Sequence, residues 1–221
     1  MAPSIRKNRF FSIAAVCLLV FMLGSCATAY RETDEAKRLH NQGQYAELAA
    51  FEISCKPKDE GCNQVHLLKG DACFRMGKNA ADSQALQASL TCAADELTAG
   101  IKMTKAWQAV PIDRVKVYEN ACEAARLRAD FGDRMRYETM LAATADQFFS
   151  FAPDHPGAVY YHARAGFHTL MRSANPCIGL QTLRTRIQNA LQRFQSNPRY
   201  ASPLQALLSV VGNEQRRRCG D

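Results

Sequence analysis

Between residues 31 and 221 the chain offers little from which to build a β-sheet. Runs of Val, Ile or Thr are few, and nearly every segment is rich in Ala, Leu, Gln, Arg and Glu, which lose least on entering a helix. Pro and Gly fall mostly between these segments, where they end one helix and let the next begin. The pattern predicts helices near residues 32–41, 44–54, 63–76, 80–98, 112–130, 133–150, 156–172, 177–195 and 202–215. Helices of this length joined by short turns fold back on one another, so the expected fold is all-α and made of antiparallel hairpins.

The first 25 residues are of another kind. Arg6, Lys7 and Arg9 precede an apolar stretch from Phe10 to Leu23, followed by small residues, the three parts of an export signal. The stretch is about 14 residues long, short of the roughly 20 needed to span the hydrocarbon core. At its end, Leu23-Gly24-Ser25-Cys26 resembles the lipobox of bacterial lipoproteins. The resemblance implies that the Cys26 thiol carries diacylglycerol through a thioether. The chain is then cut before Cys26, and the new amine takes a further acyl group such as palmitate. Ala27 follows the cysteine where inner-membrane retention mainly uses Asp, which implies the periplasmic face of the outer membrane. Cleavage as an ordinary signal peptide after Ala27-Thr28-Ala29 is the alternative.

The expected organisation is therefore a signal peptide over 1–25, a lipidated linker over 26–31 and a single helical domain over 32–221. Loss of Arg6, Lys7 and Arg9 lowers the formal charge from +7 to +4. No basic stripe with interleaved aromatics suggests nucleic acid. Arg216, Arg217 and Arg218 are expected to end a solvated helix, with contact to anionic lipid or an acidic partner as the other reading.

Gly43-Gln44-Tyr45 and Gly77-Lys78-Asn79 lie 34 residues apart, the tetratricopeptide period, and are read as equivalent turns. The stretch from Gly70 to Gly77 is similar to that family's first-helix motif, with Cys73 where an aromatic is usual. Phe151 to Tyr161 and Gln195 to Tyr200 resemble junctions between repeats. Leu48, Ala49 and Phe51 sit one place out of step, and about 20 extra residues, including Met103 to Pro111, break the phase. The resemblance implies a tetratricopeptide-like array with irregular hairpins; an unrelated helical bundle is the alternative.

Export places seven cysteines beyond Cys26 in an oxidising compartment. Residues that face one another across an antiparallel hairpin have their midpoint at the turn. For Cys177 and Cys219 it is residue 198, in the Asn197-Pro198 turn; for Cys92 and Cys122 it is 107, in the insert; and Cys55 and Cys62 flank one short loop. These three pairs are the expected disulfides, with Cys73 left as a buried thiol. No Cys-x-x-Cys occurs, and His40, His66, His155, His162 and His168 are scattered, so neither metal nor cofactor is expected.

The chain has no nucleophile elbow, HExxH motif or phosphate-cradling glycine loop, and Asp59-Glu60 and Asp95-Glu96 read as solvated pairs, so no enzyme is expected. Phe148, Phe149, Phe151 and Phe167 read as core, whereas Tyr160, Tyr161 and Arg164 are candidates to face a partner across a groove. The resemblance implies a non-enzymatic adaptor holding a protein of an envelope assembly, pilus, secretion or transport complex. A lipoprotein binding lipid or small molecules, similar to the helical T-component of some solute transporters, is the alternative. An envelope hydrolase would need a polar cleft with shifted pKa values.

Overall fold

The structure, a computed structural model, describes residues 30–220. The signal peptide over 1–25, Cys26 and most of the 26–31 linker lie outside the described residues. Among those described, all regular structure is helical: α1 (residues 30–41), α2 (Tyr45–Ala50), α3 (Cys62–Lys78), α4 (Ser83–Met103), α5 (Arg114–Phe131), α6 (Arg134–Phe151), α7 (Pro156–Met171), α8 (Cys177–Phe194) and α9 (Pro198–Cys219), with a 3₁₀ turn at Trp107–Ala109.

Helix starts follow local capping chemistry. Asp82, Asp113, Asp133 and Asn197 each accept a backbone N–H of the turn that follows, satisfying donors that a helix leaves open. Pro156 and Pro198 occupy first-turn positions, where a missing N–H costs nothing. Asn197 and Pro198 together explain why α9 begins four residues before the expected 202. Residues 30 and 31, assigned to the linker, are already helical.

Helix α2 stops at Ala50 instead of 54 because the chain beyond it is held elsewhere. The Glu32 carboxylate accepts the backbone N–H of Ser54 and Cys55 and the Ser54 hydroxyl, and Lys69 Nζ donates to the Phe51 carbonyl at 2.9 Å. The two turn glycines are not equivalent. Gly43 ends α1 with φ 71°, a left-handed value, whereas Gly77 lies inside α3, buried where a Cβ would stand 3.4 Å from Ser89.

From α2 onward each helix packs on its neighbours in sequence, and alternate helices also touch: α3 with α5, α4 with α6, α5 with α7, α7 with α9. Helices α6 and α8 scarcely meet, so a gap opens between them over α7. A smaller core, including Ala36, Leu39, Leu48 and Leu68, ties α1 and α2 to α3; the larger one runs from α3 to α9. The insert before α5 is clamped to it, with Trp107 5.5 Å from Tyr118 and the Arg114 guanidinium 4.9 Å from the Trp107 ring centre.

Helices α3 and α4 approach closely at two glycines. A Cβ on Gly70 would stand 2.8 Å from the Leu97 backbone nitrogen, and one on Gly100 would stand 2.6 Å from Leu67. Gly70→Ala gains about 1 kcal/mol of helix propensity. It is nevertheless expected to destabilise by a net of about 1–3 kcal/mol, because the backbones must part. Urea unfolding checks this, and a raised midpoint would show that the pair separates freely.

The same contact corrects one disulfide. Cys55 joins Cys62 and Cys177 joins Cys219, but Cys92 joins Cys73, not Cys122. Helix α4 lies between α3 and α5, so Cys92 had a candidate partner on each side; the midpoint of 73 and 92 falls in the Asp82 turn as cleanly as 107 falls in the insert. The glycine contact brings the Cys73 and Cys92 Cα atoms to 5.8 Å. Cys122 is a fully buried free thiol, its pKa pushed well up by burial.

Candidate functional site

Tyr160 and Tyr161 do not face a groove. Both are buried on the side of α7 that meets α5 and α9, where Tyr161 donates to Glu123 at 3.1 Å and both rings lie near Tyr200. Burial raises both phenol pKa values. The start of α9 is fixed over them by Glu119, which accepts the Tyr200 hydroxyl at 2.5 Å and pairs with Arg199 at 2.8 Å. Gly157 permits this approach, since a Cβ there would lie 2.7 Å from the Tyr200 oxygen. These tyrosines are core, because α9 covers the face that the local pattern leaves open. Arg164, one turn further along, is only half-buried and lines a separate polar pocket between α5 and α7.

The opposite face of α7 forms the floor of the gap between α6 and α8. Positions 162, 166 and 169 recur at helical spacing along this floor. Two adjoining cavities of about 230 and 400 Å³ share His162, Leu183 and Arg186, so they form one groove. Its deeper part is apolar, built from Phe149 of α6 and Leu183, Ala190 and Phe194 of α8. Gly166 adds no side chain to the floor, and nothing lies within 4 Å of where its Cβ would be.

The polar groups of the groove are few and placed. His162 stacks on Phe149 with ring centres 4.5 Å apart, and its Nε2 lies 3.4 Å from Asp146. Burial, aided by the charge of Arg186 and opposed by Asp146, lowers the His162 pKa and so favours the neutral ring. Arg193 at the mouth pairs with Asp154 at 2.8 Å. Arg186 has its guanidinium 5.9 Å from the Phe149 ring centre and no carboxylate within ion-pair distance among the described residues. The groove can thus take an apolar group and pair a negative one beside it.

The sequence pattern puts Phe149 in the core and leaves His162 among scattered histidines, yet their stack is within reach of the hairpin rule, since the midpoint of 149 and 162 falls at the turn between α6 and α7. The buried charges Asp71, Glu119 and Glu138 are marked by no local spacing. Among the described residues no three His, Cys, Asp or Glu side chains converge as metal ligands do, and no helix is long and apolar enough to cross a membrane. The chain matches no protein family, no curated protein and no solved structure.

Proposed function

We propose that the chain is a lipid-anchored periplasmic adaptor of the outer membrane, with the groove between α6 and α8 as its seat for a partner. In this reading α3 to α9 are a degenerate tetratricopeptide-like array, supported by neighbour packing and by the contacts between alternate helices. The groove is the observation that carries it. Its apolar depth and the uncompensated charge of Arg186 suit an amphipathic segment of an envelope protein with an acidic residue beside an apolar anchor. Diacylglycerol and an N-acyl chain on Cys26 supply two signals for stable attachment. From Cys26 to Tyr30 the chain spans at most roughly 14 Å, so the domain is held against the membrane surface.

In-cell crosslinking from a photoreactive residue at Thr182, on the groove wall, tests this with wild type beside Cys26→Ala and Arg186→Glu. The wild type is expected to yield one stoichiometric envelope protein. Arg186→Glu is expected to reduce that product about tenfold through charge reversal, and Cys26→Ala to release the chain from membranes. A product indifferent to Arg186→Glu removes the groove from the proposal. Membrane retention of Cys26→Ala, with no acyl mass on the wild-type N-terminus, removes the anchor. Recovery of a bound lipid or small molecule without protein favours the ligand-binding alternative.

A further inference from the structure

On the other face of α7, the C-terminal halves of α5 and α7 part above the first half of α6 and leave a polar pocket of about 370 Å³. Its ionisable lining is Arg126, Asp130, Arg134, Glu138, Arg164 and His168. Most of these are paired. Arg126 holds Glu123 at 2.8 Å and Asp130 at 3.4 Å. Glu138, almost fully buried, is held by Arg134 at 2.6 Å, His168 at 3.0 Å and Arg172 at 3.4 Å. Arg164 differs: it has no carboxylate within ion-pair distance among the described residues, and its Nε is buried without a hydrogen-bond partner.

The buried Nε is not what a ligand would meet, since Arg114 and Arg128 bury an unpaired Nε as well; the terminal guanidinium nitrogens of Arg164 are the ones that reach the pocket, and they too have no carboxylate partner among the described residues. The pocket has no spare carboxylate to pair them, since Asp130 and Glu138 are already engaged. Arginine is the residue that recognises planar or tetrahedral oxyanions through two parallel N–H bonds. The volume exceeds that of a bare ion and lies in the range of small-molecule sites.

We propose that this pocket binds a small organic anion through a carboxylate or phosphate group, with Arg164 as its direct contact. The site is independent of the groove, from which it is separated by the body of α7, and of any protein partner seated there.

The test is isothermal titration of the full chain, purified in detergent, with citrate and with inorganic phosphate at constant ionic strength, and with glycerol as the neutral control. Saturable binding of citrate or phosphate is expected, glycerol giving none; which anion binds more tightly distinguishes carboxylate from phosphate recognition. Arg164→Ala is expected to weaken binding about tenfold or more, and Arg164→Lys less, because an ammonium keeps the charge but loses the fork. Circular dichroism of each variant separates loss of binding from loss of fold. Absence of saturable binding to the wild type overturns the proposal whatever the variants do, as does binding that Arg164→Ala leaves unchanged in a folded chain.

Discussion

Asp71→Ala is expected to lower the stability of the domain by about 3 kcal/mol, the lower end of what breaking a buried ion pair costs. The carboxylate is 1% exposed and lies where α1, α3 and α5 meet. It accepts from His40 of α1 at 2.9 Å, from Arg75 of its own helix at 2.6 Å and from Asn120 of α5 at 3.0 Å. Alanine leaves the Asn120 amide buried without this partner, and it removes the tie that joins the smaller core to the larger. Arg75 reaches solvent in part and stacks on Tyr45, so its own loss is softened. Equilibrium urea unfolding at pH 7 checks the value, and a loss below about 1 kcal/mol would falsify the assignment of Asp71 as a principal tie.

The same carboxylate sets a pH dependence of known sign. Burial pushes its pKa up, but the hydrogen bonds from His40 and Arg75 and the charges of Arg75 and Lys116 outweigh that and hold it below the usual aspartate value. A depressed folded pKa means that the unfolded chain takes the proton first as pH falls. The stabilisation is therefore complete above the ordinary aspartate pKa, about 3.9, and is lost as pH falls through the folded value. On account of this carboxylate, the gap between wild type and Asp71→Ala is expected to close as pH falls below about 4.

Removing the disulfide of the last hairpin is expected to have an effect of similar size. Cys177 opens α8 and Cys219 ends α9, 42 positions apart in sequence. Chain-entropy arguments assign a closed loop of that length about 4 kcal/mol, exerted on the unfolded chain. The double substitution Cys177→Ser with Cys219→Ser is therefore expected to lower the unfolding midpoint markedly. The folded hairpin should persist at low denaturant, because Leu180, Ile187, Leu204 and Val211 still pack across it. The three arginines at the end of α9 should then fray first, and faster amide exchange over residues 214–219 reports it. Unchanged stability would mean that the unfolded chain already holds these ends together.

That pairing was legible because a hairpin is a local object. Asn197 and Pro198 mark the turn, and the midpoint rule does the rest with no knowledge of any other helix. The same rule failed for Cys92, since α4 has a neighbour on each side and the choice between Cys73 and Cys122 depends on which helix comes closer. Gly70 and Gly100 decide that, but they act across 30 residues and show no shared local pattern. Arg164 shows the same division from another side. Its place on α7 follows from sequence spacing, whereas its lack of a carboxylate partner follows from where α5 and α6 put theirs.

Local features are therefore legible in the residues alone: the all-helical composition, the approximate helix spans, the caps, the Cys55–Cys62 loop and the closure of the last hairpin, each set within one helix or one hairpin. Tertiary structure alone decided which faces of those helices are covered. Tyr160 and Tyr161 look as available as Phe149 and His162 along α6 and α7, yet α9 lies over the first pair while α8 stands away from α6 beside the second. The physical reason is that burial is a property of pairs of helices distant in the chain, settled by close approach at small residues and by buried charges such as Glu119 and Asp71.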